Sequence, residues 1–248
     1  MSFSYDRAWQ DFMTMLRANA AMLLVLAGVF MFFPTFVLSV YLPVPEPDSD
    51  SGLAGLNMLV AYFRANSGWF VLVNAIANFA QTAILLLLLD RARPTVGESL
   101  GVAAGLFPAF FIAQIVTNMA VGAGFVLLLV PGIYLLGRFA VVGPLLVDRR
   151  MGNPFKAIAK GWRATAGHGW RIAGLILLVV IVGWIALSAA TSVLTVLASL
   201  IAPETLRPII AALASAVSSA VLGLVSVVLT AAIYRQLASP AAGGTAVS

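Results

Sequence analysis

Six long apolar stretches, separated by short polar or proline-containing segments, constrain this chain more than any other feature of its sequence. Each has about 20 residues or more, the length of α-helix that crosses the hydrocarbon core of a bilayer. Apolar residues make up 62% of the chain and charged residues only 9%, whereas a soluble domain carries roughly 25% charged residues. The sequence therefore predicts an all-α protein, a polytopic helical membrane bundle.

The six predicted transmembrane helices, TM1 to TM6, form a single membrane domain over residues 1–239, and we expect a disordered tail at 240–248. Their approximate bounds are about 19–42, 69–90, 104–129, 132–148, 171–194 and 209–234. The turn between TM3 and TM4 has two candidate positions, Gly122-Ala123-Gly124 and Pro131-Gly132. Acidic residues precede TM1 and prolines follow it, so we expect it to persist in the mature protein.

Three stretches with features of amphipathic surface helices each precede a pair of spans on one side of the membrane. They are 4–18, 95–106 and 153–167. Ser4 is placed to cap the first helix. Thr95 and Glu98 match a capping box, and Asn153 followed by Pro154 is typical of a helix start. The sequence thus predicts a bundle with surface helices, arranged as three units of a surface helix and a hairpin.

The cations are distributed unequally between the two sides that six spans define. Only Arg64 and Arg207 fall on the side away from the termini, where acidic residues such as Glu46 and Glu204 also lie. The side of the termini holds Arg7, Arg17, Arg91, Arg93, Arg149, Arg150, Lys156, Lys160, Arg163, Arg171 and Arg235. Because cytoplasmic loops carry an excess of Lys and Arg, we expect both termini in the cytoplasm. This placement also argues against nucleic acid as the partner of the net +5 charge.

The cations around the third surface stretch are candidates for contact with the headgroups of anionic membrane lipids. They are Arg149, Arg150, Lys156, Lys160 and Arg163. The predicted helix has an apolar face made of Phe155, Ile158, Ala159, Trp162 and Ala166. An apolar face beside a basic face is typical of a helix on an anionic leaflet, where each cation contributes about 1 kcal/mol. Recognition of lipid or a cytoplasmic partner is one interpretation, and topological anchoring is the alternative.

Polar side chains also occur within the predicted spans. Asn74, Asn78 and Gln81 share one face of TM2, and Gln114 and Asn118 share one face of TM3. Such amides predict hydrogen bonds between helices, with a path for a polar solute as the alternative. Arg138 lies inside TM4, where a charge indicates a function unless the side chain snorkels to the outer interface. No acidic residue lies at the middle of a span, so we expect these amides beside Arg138.

Small residues recur on TM6 at intervals of four, at Ala212, Ala216 and Ala220. This spacing predicts close helix packing, either within the chain or in a homo-oligomer. The segment Gly97-Glu98-Ser99-Leu100-Gly101 matches the nucleophile elbow of hydrolases, but it begins a helix and no strand precedes it. With one histidine, His168, and no cysteine, metal and thiolate chemistry lack their usual ligands. We expect no enzyme activity and no cofactor.

Three segments of the chain carry a resemblance to a known family. They are Val130-Pro131-Gly132-Ile133-Tyr134, Gly143-Pro144-Leu145-Leu146-Val147-Asp148-Arg149-Arg150-Met151-Gly152 and Lys160-Gly161-Trp162-Arg163-Ala164-Thr165. This part of the chain, about 130–171, resembles the YciC-like family of bacterial inner-membrane proteins and, more distantly, the membrane domain of some glycerophosphodiester phosphodiesterases. The family often has serine where Gly161 stands. The resemblance implies a six-helix protein of the bacterial inner membrane, with no catalytic residues to transfer.

Two functional hypotheses follow from these features. The first is a non-enzymatic inner-membrane protein of envelope or lipid homeostasis, whose basic helices contact anionic lipid. The second is a small-solute transporter or channel with a polar path near Arg138 and the TM2 and TM3 amides. A continuous polar cavity that reaches Arg138 would favour transport. A lipid-tight bundle with an exposed basic helix would favour the lipid role.

Overall fold

The structure, a computed structural model, describes residues 4–45, 52–90 and 95–238. These residues form α-helices with one π-helical segment, and no strand occurs among them. The α-helices are α1 (Tyr5–Ala18), α2 (Ala20–Ala27), α3 (Phe33–Tyr41), α4 (Gly52–Ala65), α5 (Ser67–Leu89), α6 (Val96–Leu127), α7 (Leu129–Phe139), α8 (Val142–Asp148), α9 (Pro154–Ala164), α10 (Gly169–Ile201) and α11 (Arg207–Ala238). The predicted tail at 240–248, the acidic residue Glu46 and the cations Arg91 and Arg93 lie outside the described residues.

Six helical segments are long and apolar enough to cross a membrane, which confirms the predicted number of spans. TM1 corresponds to Ala20–Tyr41, in which the π-helical segment Gly28–Phe32 joins α2 to α3. TM2, TM3, TM5 and TM6 are α5, α6, α10 and α11. TM4 is Leu129–Asp148, made of α7 and α8 with a turn between them. The chain therefore folds as a multi-pass bundle of α-helices.

Both ends of the described chain lie at the same end of the bundle. The side-chain amide of Gln236, near the end of α11, donates a hydrogen bond to the Ser4 carbonyl oxygen at 3.1 Å. At this end, the hydroxyl of Tyr234 donates to Asp148 at the end of α8. An even number of spans requires this arrangement of the termini.

The break between TM3 and TM4 falls at Leu128, which has extended backbone angles, φ −162° and ψ 146°. Neither predicted turn position is correct. Pro131 lies in the first turn of α7, where its missing N–H costs no intrahelical hydrogen bond. Gly124 and Gly132 instead bring α6 and α7 together, because a Cβ on Gly124 would lie 3.0 Å from the Gly132 Cα. The glycines thus serve the packing of the hairpin, and the turn lies between them.

Two of the three predicted surface stretches form separate helices, α1 and α9, but the stretch 95–106 does not. Thr95 and Glu98 form the predicted capping box, with Thr95 N–H donating to Glu98 Oε2 at 2.7 Å. The helix that they start is α6, which continues for 32 residues through Pro108. The helix is not interrupted between this cap and Leu127, so the predicted surface stretch and TM3 form one helix. The threefold plan therefore fails at its second unit.

The small residues of TM6 are buried within the chain. Ala212, Ala216 and Ala220 on α11 are each less than a tenth exposed. The hydroxyl of Ser218, also on α11, lies 3.0 Å from the hydroxyl of Thr191 on α10. This arrangement shows close packing inside one chain, which was one of the two predicted uses of the stripe.

Candidate functional site

Helix α9 begins where its sequence predicts. The Asn153 side-chain oxygen accepts a hydrogen bond from the Lys156 backbone N–H at 3.0 Å, and Pro154 occupies the first helical position. This N-cap satisfies one of the amides that a helix leaves unpaired at its start. The helix therefore begins within a few residues of the end of α8.

The buried side of α9 consists of the small residues Ala157 and Gly161, and the buried Thr165 follows as the C-cap of the helix. A Cβ on Gly161 would lie only 2.7 Å from Val142 Cγ2, so this side of α9 packs very closely against α8. The apolar face that the sequence predicts is a different one, and its first residue, Phe155, is 63% exposed. Small residues face the protein because they permit the closer approach of the two backbones.

The five cations proposed for lipid contact divide into two groups. Lys156, Lys160 and Arg163 on α9 are exposed, and none has a carboxylate within ion-pair distance among the described residues. Arg149 and Arg150 do have such carboxylates. The Arg150 guanidinium lies 2.9 Å from Asp90 Oδ2, and the Arg149 Nε lies 3.7 Å from an oxygen of Asp148. No carboxylate of the described chain therefore neutralises the α9 cations, and they are available to an external anion.

A cleft of about 380 Å³ at the same end of the bundle is lined by these paired groups. The hydroxyl of Tyr234 donates a hydrogen bond of 2.6 Å to Asp148 Oδ2, and the Asp90 to Arg150 pair joins the ends of α5 and α8. Arg150 itself has a left-handed backbone, φ 45°. Sequence reasoning missed these pairs because the partners are 86 and 60 residues apart in the chain. These two contacts join the ends of α5, α8 and α11.

Arg138 is the one buried cation among the residues that the structure describes, with an exposed fraction of only 5%. Its guanidinium carbon lies 4.1 Å from the ring centre of Trp162 on α9 and 5.8 Å from that of Tyr134 on α7. The Thr165 hydroxyl donates to the Arg138 carbonyl oxygen at 2.9 Å. The Nε of Arg138 has no hydrogen-bond partner in the described chain. Arg138 therefore sits where α7, α9 and α10 meet, against aromatic rings.

The predicted amide partners of Arg138 make no hydrogen bond to its Nε among the described residues. Asn78 donates its side-chain amide to the backbone and side-chain oxygens of Asn74, both at 2.8 Å, within α5. Asn74 and Asn118 are exposed, and Gln81 and Gln114 are half-buried. The predicted hydrogen bonds between helices are not present among these residues, since Asn78 finds its partner one turn away on its own helix.

A second cleft, of about 520 Å³, lies beside Arg138 at the junction of α7 and α10. It is lined by Val130, Pro131, Tyr134, Gly167, Gly169 and Trp170. Neither this cleft nor the one at the helix ends is lined by Arg138 or by the TM2 and TM3 amides. The two clefts thus do not form the polar path to Arg138 that transport would need.

The fold defines a class of protein, the multi-pass membrane proteins built from α-helices. Comparisons of the chain with family models, with curated proteins and with solved structures found no match. The resemblance to the YciC-like family stays a prediction that rests on the three segments between residues 130 and 171. Several residues of those segments, among them Tyr134, Asp148, Trp162 and Thr165, take part in the contacts described above.

Proposed function

We propose that this protein is a non-enzymatic protein of the bacterial inner membrane, acting in envelope or lipid homeostasis, and that α9 contacts anionic lipid headgroups at the cytoplasmic face. The observation that carries the proposal is the exposed basic side of α9. Its three cations, Lys156, Lys160 and Arg163, have no acidic partner in the described chain. The helix is held in place by its small buried residues, so the basic side is presented outward.

The expected strength of this contact follows from the number of uncompensated charges. Each cation near an anionic leaflet contributes about 1 kcal/mol, so three contribute about 3 kcal/mol, or roughly 100-fold in affinity. Phe155 is exposed beside these cations and supplies an apolar group that can enter the headgroup region. Arg149 and Arg150 are expected to contribute less, because Asp148 and Asp90 already neutralise part of their charge.

The charge asymmetry of the chain supports the proposed side of the membrane. The ends of α1, α8 and α11 meet at one end of the bundle, and α9 starts immediately after α8. Arg64 and Arg207, the two cations that the sequence assigns to the other side, lie in α4 and α11. Cations concentrate on the cytoplasmic side of inner-membrane proteins, which is the basis for this assignment.

The residues on which the transport hypothesis depended line neither of the two clefts. Asn74 and Asn118 are exposed on the surfaces of α5 and α6, and Asn78 bonds within α5. Arg138 is enclosed by Trp162 and Tyr134. The lipid role therefore has the stronger physical basis.

The test is the triple variant Lys156→Glu, Lys160→Glu, Arg163→Glu in the full-length protein. Native mass spectrometry of the protein in detergent counts the phosphatidylglycerol molecules that it retains during titration. We expect the apparent affinity to fall by roughly 100-fold. A charge-preserving variant, Lys156→Arg, Lys160→Arg, Arg163→Lys, should bind as the wild type does. Retention of phosphatidylglycerol by the triple Glu variant at the wild-type level would refute the lipid role of α9.

A further inference from the structure

Arg138 has no counter-charge within the described chain. It is 5% exposed, its Nε lacks a hydrogen-bond partner, and no described carboxylate lies within ion-pair distance. The rings of Trp162 and Tyr134 attract the cation but carry no net charge. A buried charge is normally paired, because removing it from water is costly. Among the described residues, the side chain therefore carries a buried positive charge with an unpaired N–H donor and no counter-charge.

The Arg138 side chain extends towards a second positive feature, the N-terminus of α10. A Cβ on Gly169, the first residue of α10, would lie 3.3 Å from Arg138 Cγ and 2.9 Å from Cδ, so the side chain approaches this glycine as it extends. The helix has 33 residues, and the backbone N–H groups of its first turn present partial positive charge. The Arg138 side chain thus packs against a helix N-terminus, and two adjacent positive groups favour an anion that binds both.

The cleft of about 520 Å³ lies next to this point, because Tyr134 and Gly169, which contact Arg138, both line it. Gly167, Gly169 and Trp170 form the side of the cleft at the start of α10, and residues of α7 form the other side. The space that a side chain on Gly169 would take is filled by Arg138 and Tyr134, so Arg138 packs directly against the start of α10. Val130 and Trp170 are 60% and 54% exposed, so the walls of the cleft offer apolar surface to hydrocarbon.

We propose that Arg138 and the N-terminus of α10 form a binding site for a phosphate group, and that the phosphate belongs to a membrane phospholipid. The phosphate oxygens accept hydrogen bonds from the guanidinium and from the first-turn amides. The glycerol and the start of the acyl chains lie against Val130, Pro131 and Trp170 in the cleft. This site is separate from the exposed cations of α9 and does not depend on the role proposed for them.

The experiment measures the thermal unfolding temperature, Tm, of delipidated full-length protein in detergent. The added ligands are phosphatidylglycerol, diacylglycerol with the same acyl chains, and inorganic phosphate. A ligand that binds only the folded protein raises Tm. We expect phosphatidylglycerol to raise Tm equally for the wild type and for Arg64→Gln, which removes an exposed cation of α4 outside both proposed lipid sites. Arg138→Gln should show a smaller shift, because only the contact with α9 remains and the affinity of the Arg138 site is at least roughly tenfold lower. Diacylglycerol should give no shift.

Each other outcome has a defined meaning. A shift by inorganic phosphate that equals the one by phosphatidylglycerol and needs Arg138 would support the anion site and overturn its assignment to lipid. No shift with any ligand, an equal shift in Arg138→Gln, or an equal shift with diacylglycerol would overturn the proposal.

A second variant keeps the test valid if Arg138→Gln does not fold. A Cβ in Gly169→Ala meets only side-chain atoms of Arg138 and Tyr134 at 2.9 to 3.3 Å, so the backbone can stay in place while the guanidinium is displaced. We expect the affinity of Gly169→Ala for phosphatidylglycerol to fall by roughly tenfold. Wild-type affinity in this variant would overturn the proposal. The triple Glu variant of α9 should keep the Arg138-dependent shift, so the two lipid proposals can fail separately.

Discussion

Gly137 controls the closest packing between α7 and α10, and its replacement by alanine is the sharpest test of the bundle described above. A Cβ at position 137 would lie 2.1 Å from the carbonyl oxygen of Gly169 and 2.8 Å from the backbone N of Ala173. Ordinary contacts of a Cβ begin near 3.4 Å. Because both obstructing atoms are backbone, no rotamer change relieves the overlap. The two helices must separate locally by about 1 Å.

The expected cost of Gly137→Ala follows from two opposing effects. Overpacking of a well-packed interface costs about 1–3 kcal/mol, and the upper part of this range applies where backbone must move. Alanine gains up to about 1 kcal/mol over glycine in helix propensity. The net loss in the free energy of unfolding is therefore about 2 kcal/mol. For a chain of this length such a loss lowers Tm by roughly 4–8 °C.

The assay is thermal unfolding in detergent, followed by circular dichroism. Gly105→Ala is the matched control, because a Cβ on Gly105 in α6 meets nothing within 4 Å. That variant should have the wild-type Tm or a slightly higher one, since only the propensity effect remains. If Gly137→Ala unfolds at the same temperature as Gly105→Ala, the close approach of α7 to α10 is refuted, and with it the geometry assigned to Arg138.

Two further predictions use the same assay. Tyr234→Phe removes the 2.6 Å hydrogen bond to the Asp148 carboxylate and should lower the free energy of unfolding by about 1.5–3 kcal/mol; an unchanged Tm would show that this bond does not hold α8 to α11. Thr95→Ala removes the capping box with Glu98 and should cost about 1 kcal/mol, whereas Thr95→Ser should cost much less; equal stabilities of these two variants would contradict the capping role.

Local signals in the sequence correctly predicted the caps of α6 and α9, whereas Ser4 occupies the N-cap position of α1 without the predicted side-chain hydrogen bond. The Thr95 to Glu98 capping box and the Asn153 cap both join groups three residues apart, so the local sequence is enough to predict each of these helix starts. The end of TM3 was harder to predict. Gly124 and Pro131 both carry signals for a turn, and which residues reverse the chain depends on how α6 and α7 pack. The break at Leu128 is a result of that packing.

The surroundings of Arg138 illustrate a different limit. A charge within an apolar span is by itself enough to mark Arg138 as a candidate site. Its contacts come from Trp162, Thr165 and Gly169, which are 24 to 31 residues further along the chain. Nothing in the spacing of these residues predicts which of the many polar or aromatic side chains would meet the guanidinium. The sequence therefore identified the charge and missed its neighbours.

The sequence by itself determined that this protein is a bundle of six helices able to span a membrane, with both ends of the described chain at one end of the bundle, because apolar length is what a bilayer requires of a helix. Only the tertiary structure decided which side of each helix faces the protein. In water the apolar side turns inward, but lipid tails are as apolar as leucine, so a spanning helix such as α11 can expose Val217 and bury Ala212 and Ala216. Close approach of backbones, which small residues permit, takes over the role that hydrophobicity has in soluble proteins.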